Sequence, residues 1–273
     1  MQSFSPAIFS RLADGAQMKN VELIYQDADL IVVSKPAGMP VHEIVQRGSP
    51  QSKRSDDYTL VDWLLEKFPE IKDVGDLPAA AFREEGSVHG LPYRPGIVQR
   101  LDKQTSGVMV IARNQESFLR LKEIFKSRSI EKIYTALVCK PMKEKNGVID
   151  KPLGRLAKSP TKVGIESPKG KIKNAKEAVT EFRVVKNFAE TALLEVKPKT
   201  GRMHQIRVHL ASIGHPVAGD LVYGGKNVCL KELGRYFLHA SSLSFSFREG
   251  QRLTFSADLP EELENALAGQ TLA

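Results

Sequence analysis

The sequence predicts an α+β fold, and three observations predict it. Apolar, β-branched runs outnumber helical patterns along the 273 residues. Several of those runs come in neighbouring pairs with short polar connections, the signature of hairpins. Regular strand–helix alternation, which would indicate a parallel sheet with crossovers, is sparse. Residues 1–20 read as a lead-in, loose or briefly helical, and 21–273 as one domain.

The first pair is Val21-Glu22-Leu23-Ile24-Tyr25 and Leu30-Ile31-Val32-Val33-Ser34, joined across 26–29. Lys35-Pro36-Ala37-Gly38-Met39-Pro40-Val41-His42 follows, and its prolines and glycine force a loop with a fixed path. Residues 43–57 are polar and loop-like. Thr59-Leu60-Val61-Asp62 has the form of a capping box opening a helix through Phe68. Residues 73–93 carry Gly75, Pro78, Gly86, Gly90 and Pro92 and read as irregular.

Pro95-Gly96 then punctuates a turn before a short extended segment at Ile97-Val98. Thr105-Ser106-Gly107 breaks the chain again, and Val108 to Ala112 is a continuous apolar run expected to be a buried strand. Asn114 can cap a helix to about Arg128, with Phe118, Leu121 and Phe125 on one core-facing side. Ile133–Val138 reads as a strand. Residues 154–176 carry Arg155, Lys158, Lys162, Lys169, Lys171, Lys173 and Lys176 against only Glu166. Pro160, Gly164, Pro168 and Gly170 divide that segment, so a projecting basic hairpin or loop is expected. Strands at 179–185 and 191–197 precede a strand–turn–helix unit at Lys199–Ala211. The stretch 214–226 is loop-rich. Strands at 237–247 and 252–257 close the sheet, and Pro260 opens a last helix to about Leu267.

One side chain in this order invites chemistry. Asp102 sits on a connection ahead of a buried strand, two residues after Arg100 and directly before Lys103. Nearby cations keep a carboxylate ionised, and loops set on rigid strands carry much of the chemistry of enzymes. A lone aspartate beside a turn is otherwise ordinary.

The surrounding residues, Pro95-Gly96-Ile97-Val98-Gln99-Arg100-Leu101-Asp102-Lys103-Gln104-Thr105-Ser106-Gly107 on to Ala112-Arg113, resemble the active-site motif of the RluA-type pseudouridine synthases. The match departs at Gln99, where that family usually carries His. A second motif, Gly201-Arg202-Met203-His204-Gln205-Ile206-Arg207-Val208-His209-Leu210, is similar to another family pattern, with Met203 where Thr is common. Lys35-Pro36 to His42 and Lys132-Ile133-Tyr134-Thr135-Ala136-Leu137-Val138 have counterparts as well. The likeness spans roughly 21–260 and is to short members lacking a separate N-terminal RNA-binding domain. It implies a long, bent, mixed but mostly antiparallel sheet with flanking helices and a central cleft. It also implies isomerisation of uridines in ribosomal or transfer RNA to pseudouridine.

The resemblance assigns roles residue by residue. Asp102 would be the nucleophile or base, Arg202 its ion-pair partner, and Tyr134 the ring against the target base. Arg100 would help displace and replace the base. Arg207, His204 and Lys35 are the further candidates for holding substrate. The reaction changes no oxidation state and adds no atom, so no cofactor and no metal are expected. The uridine must leave its stack to be reached.

Composition agrees. The formal charge of +8, from 40 Lys+Arg against 32 Asp+Glu, suits a polyanionic partner. No apolar run approaches the roughly 18 residues a membrane span needs. No secretion signal is apparent at the start. The two cysteines, Cys139 and Cys229, are expected to be free thiols in a reducing cytosol. A cytoplasmic monomer acting on RNA, without membrane or nucleotide cofactor, is the expectation. Two other readings compete. A non-catalytic RNA-binding or assembly protein would draw on Gln99 and the 43–93 insertion. A metal-dependent hydrolase would draw on His204, His209 and His215. Against the latter, positions 204 and 209 stand about 140° apart on a helix, whereas a helical zinc pair needs a spacing of about four. Gly224-Gly225-Lys226 also lacks the other elements of a phosphate loop.

Overall fold

The computed structural model describes residues 20–43, 57–76, 87–88, 91–157, 159–165 and 172–272. Strands β1 (Glu22–Gln26) and β2 (Leu30–Lys35) form the expected antiparallel hairpin. Helix α1 (Leu60–Lys67) opens on the capping box: the Thr59 hydroxyl accepts from the Asp62 amide while the Asp62 carboxylate accepts from the Thr59 amide. A 3-10 turn at Pro69–Asp73 and the two short strands β3 (Ser87–Val88) and β4 (Leu91–Pro92) follow. Strand β5 (Ser106–Ala112) is buried along its whole length, as a run without alternation should be. Helix α2 (Gln115–Lys126) is capped by the Asn114 side chain and buries Phe118 and Leu121. Strands β6 (Ile130–Cys139), β7 (Asn146–Asp150), β8 (Leu153–Leu156), β9 (Ser159–Ile165) and β10 (Ile172–Lys176) come next. Strands β11 (Val179–Asn187) and β12 (Thr191–Pro198) lead into helix α3 (Gln205–Ser212). The chain ends with β13 (Leu238–Arg248), β14 (Gln251–Ser256) and helix α4 (Glu261–Ala268).

Among the described residues the main sheet runs β1-β2-β5-β13-β6-β12-β11-β7, with β14 paired to β13. Its ladders are antiparallel except where β13 runs parallel to β5. That parallel contact decides a residue. Gly107 faces Ala240 with φ +120°, and a Cβ there would lie 2.2 Å from the Ala240 carbonyl oxygen. Only glycine permits both the conformation and the approach.

Two apolar clusters fill the sheet's two halves. One gathers β2, β5, α1 and α2 around Val33, Met109, Leu64 and Leu121. The other gathers β6, β12, β13 and α3 around Val138, Leu194, Leu238 and Leu210. Each such fully buried side chain contributes about 1.5–3 kcal/mol. Tyr134 packs against both clusters, so it marks their seam.

The fold corrects three expectations made outside the cleft. Cys139 and Cys229 are bonded as a disulfide, not free, because Val217–Gly219 brings the 228–230 segment alongside the end of β6. The argument for a reducing compartment from free thiols therefore falls. Residues 97–98 do not form a strand; Ile97 makes one bridge to Ile111. The basic segment is not a lone hairpin: β10, β8 and β9 make a separate three-stranded sheet. Lys158, Lys169 and Lys171 lie outside the described residues, as do the lead-in to residue 19 and the polar loop at 44–56.

Candidate active site

A cleft of about 540 Å³ opens at the seam between the two clusters. Asp102, Arg100, Tyr134, Arg202, His204 and Arg207 all line it. The connection from Gly96 to Thr105 carries Asp102 to its floor, and the Thr105 amide closes a turn onto the Asp102 carbonyl at 3.0 Å. The Asp102 side chain is 17% exposed, sheltered but reachable.

The guanidinium on that carboxylate belongs to Arg207, not Arg202. Arg207 Nη1 donates to Asp102 Oδ2 at 3.2 Å. Its Nε and Nη2 grip both oxygens of Asp220 at 2.7 and 2.9 Å. Such a two-pronged pairing fixes a guanidinium in one plane. Tyr236 and Tyr223 lie over its faces, at 4.1 and 4.9 Å from ring centre to guanidinium carbon. Burial works against the charge of Arg207, but the Asp220 bonds and the nearby acidic groups outweigh it and raise the pKa. The reason Arg202 misses the aspartate is local. His204 adopts a left-handed conformation at φ 55°, and α3 starts only after it. Arg207 thereby falls within the helix, facing inward, while Arg202 stays on the approach turn. There its Nε donates to the Glu177 carbonyl at 3.0 Å and its amide to Gln205 Oε1 at 2.9 Å.

Other side chains complete the floor. The Tyr236 hydroxyl donates to Asp102 Oδ2 at 3.4 Å and lies 3.2 Å from Thr105 Oγ1. His204 Nε2 stands 3.8 Å from Asp102 Oδ2, and its Nδ1 meets the Tyr223 hydroxyl at 2.7 Å. Burial lowers the His204 pKa against the pull of Asp102. Tyr134 is raised by burial and then by the Asp102 charge, so its phenol stays protonated. Lys132 Nζ donates to the Thr200 carbonyl at 3.2 Å, and burial followed by repulsion from Arg128 brings its pKa down to about 8.

Lys35 does not reach the cleft. It is fully buried, and its Nζ donates to the carbonyls of Pro36, Met39 and Lys103 at 2.8, 2.9 and 3.3 Å. It ties the 36–39 loop to the connection bearing Asp102, a positional role in place of the expected substrate contact. The histidines of the metal reading are separately engaged. His209 sits between Thr180 Oγ1 and the Lys151 carbonyl, while His215 faces the carbonyls of Cys139 and Lys140. Among the described residues, no group of three or more His, Cys, Asp or Glu is placed to hold a metal.

Sequence reasoning passed over Asp220, Tyr223 and Tyr236. Asp220 follows Gly219, whose φ of +76° and 2.1 Å Cβ clearance to the Arg235 carbonyl demand glycine. A Gly-Asp pair in the loop-rich stretch 214–226 was the available signal for Asp220. Nothing local marked Tyr236.

Comparison with known proteins adds the following. The family described as RNA pseudouridylate synthase matches residues 29–212. An uncharacterized RNA pseudouridine synthase of Mycobacterium bovis is 36% identical over 253 residues, covering 92% of this chain and 73% of the relative. Ribosomal large subunit pseudouridine synthase D of Vibrio cholerae is 34% identical over 260 residues, covering 91% and 70%. The human RNA pseudouridylate synthase domain containing 4 structure superposes with a TM-score of 0.65 at 28% identity, covering 90% of this chain and 92% of that one. The human domain containing 1 structure gives a TM-score of 0.69 at 23% identity, covering 95% and 99%, a likeness of fold.

Proposed function

The chain belongs to the RNA pseudouridylate synthase family, and from that membership we propose how its cleft turns uridine into pseudouridine. The reaction breaks the bond from ribose to a ring nitrogen of uracil, turns the base, and joins the sugar to a ring carbon, which gives up its proton. Asp102 acts at the sugar, as nucleophile or as proton acceptor. The observation that carries this reading is the Asp102 carboxylate on the cleft floor, 3.2 Å from the Arg207 guanidinium. Arg207 holds it in one orientation. Tyr134 offers its ring to an everted base, a common device in RNA recognition. Arg100, exposed at the cleft, helps displace the base, and His204 and Arg202 border the bound nucleotide.

The target is uridine in ribosomal or transfer RNA; the ribosomal choice is supported by the relatives named large subunit pseudouridine synthase D. An isomerisation draws on no nucleotide cofactor or metal, and the chain acts as a monomer in the cytoplasm, where those RNAs are. No helix among the described residues is long and apolar enough to cross a membrane.

Asp102→Asn tests the assignment. Incubated with unmodified transcripts of ribosomal and transfer RNA, it should form no pseudouridine while binding RNA as the wild type does. Undiminished conversion by that variant would remove Asp102 from the chemistry.

A further inference from the structure

We infer that Arg94, Gln99 and Arg100 form a subsite for one phosphodiester of the RNA strand, at the end of the cleft beside Asp102. This rests on the proposed function and goes further, because it places a backbone phosphate rather than the reacting base. All three residues line the cleft. Gln99 Nε2 is buried and, among the described residues, has no hydrogen-bond partner. A buried donor left unpaired costs about 1–3 kcal/mol, so an amide held that way points to an acceptor that arrives later.

The two guanidiniums lining the same cleft make the acceptor anionic. Among the described residues neither the Arg94 nor the Arg100 side chain makes a hydrogen bond or an ion pair. Burial first, then the charge of Arg100, lowers the pKa of Arg94, and Asp76 only partly offsets this. Asp76 itself is paired with Lys122. Burial lowers the pKa of His42, in the loop after β2, against its hydrogen bond to the Glu43 carbonyl, and the charges of Arg100 and Arg94 lower it further. Like charges gathered in one cleft repel, and an incoming anion relieves them. A phosphodiester has the charge for two guanidiniums and a spare oxygen for the amide. A uracil carbonyl would satisfy Gln99 and leave the cations facing each other. Gln99 and Asp102 are three positions apart on one connection and line the same cleft, which sets the phosphate near the everted nucleotide.

The test measures binding of a short single-stranded oligouridylate across a salt series, with thermal unfolding alongside. Arg94→Gln should weaken binding roughly tenfold, the worth of one charge-assisted contact. It should also flatten the slope of log affinity against log salt by about 0.7, one phosphate contact on a single strand. Gln99→Met should weaken binding several-fold, keep the salt slope, and leave the melting temperature unchanged or higher, because a buried unpaired amide is gone. An unchanged slope in Arg94→Gln would overturn the subsite. So would a Gln99→Met variant that melts lower and binds as before, or a wild-type chain that does not bind the oligomer. The Asp102→Asn assay reads chemistry and this isotherm reads binding, so either reading can fail while the other stands.

Discussion

The behaviour of the site turns on how few side chains hold one carboxylate. Asp102 Oδ2 takes a donor from Arg207 and a longer one from Tyr236, and Asp220 holds Arg207 from behind. Asp220 is fully buried and also accepts from the amides of Val222 and Tyr223. Tyr236 contributes in two separable ways: its ring stacks on Arg207 and its hydroxyl reaches the aspartate. Tyr236→Phe keeps the first and deletes the second. Turnover should fall by up to about tenfold, the worth of one hydrogen bond, with KM for RNA and the unfolding midpoint nearly unchanged. An equal loss in the midpoint and in turnover would make the hydroxyl structural instead. Asp102 was legible in the sequence because its whole motif is local. Tyr236 was not, since its contact with Asp102 spans 134 positions. The choice between Arg202 and Arg207 was equally closed to the sequence. It depends on the single left-handed residue, His204, that sets where α3 begins.

Elements were more legible than their pairings. The hairpin β1–β2, the capped helices α1 and α2, and the closing pair β13–β14 follow from signals within a few residues. What no local pattern carried is that β13, late in the chain, inserts between β5 and β6. That insertion builds the site. It sets Tyr236, just before β13, under Arg207, and joins the strand following Asp102 to the strand bearing Tyr134. Gly107 is where the junction is tightest. Its neighbour Ser106 meets His239 Nδ1 at 2.9 Å and accepts from Arg235 Nη2 at 2.9 Å. Gly107→Ala must push the Ala240 backbone away and adopt a φ costly for any side chain. We expect a loss of at least about 2 kcal/mol from overpacking and backbone strain, read from urea unfolding. Activity should fall even at temperatures where the variant is folded, because Asp102 and Tyr134 then shift relative to each other. A variant as stable and active as the wild type would show that the sheet gives way there without cost.

At the scale of the molecule, pH acts through the groups folding keeps neutral. His209 and His239 are almost wholly buried, each with both ring nitrogens hydrogen-bonded, and burial lowers both pKa values from the ordinary 6.5. Between each lowered value and 6.5 the unfolded chain binds more protons than the folded one. Stability therefore rises with pH across that window and is lost as pH falls below 6.5, by up to about 1.4 kcal/mol per pH unit for each ring. Carboxylates add a second, more acidic window. Asp27 is pushed up by burial, but the amides of Asp29 and Leu30 win and lower it. Asp29 is lowered by Asn114 and Arg248. Their contribution is present above the ordinary value of 3.8 and disappears as pH drops through the lowered ones. Denaturant unfolding followed from pH 7 downward should thus show stability declining below about 6.5, with net proton uptake on unfolding. The decline matters for the site because His239 binds Ser106 at the mouth of β5, and the loss of that contact would release the connection carrying Asp102. Stability that stays level from pH 7 to pH 5 would mean that both rings are protonated in the folded chain, and the hydrogen bonds that anchor β5 to β13 would have to be redrawn.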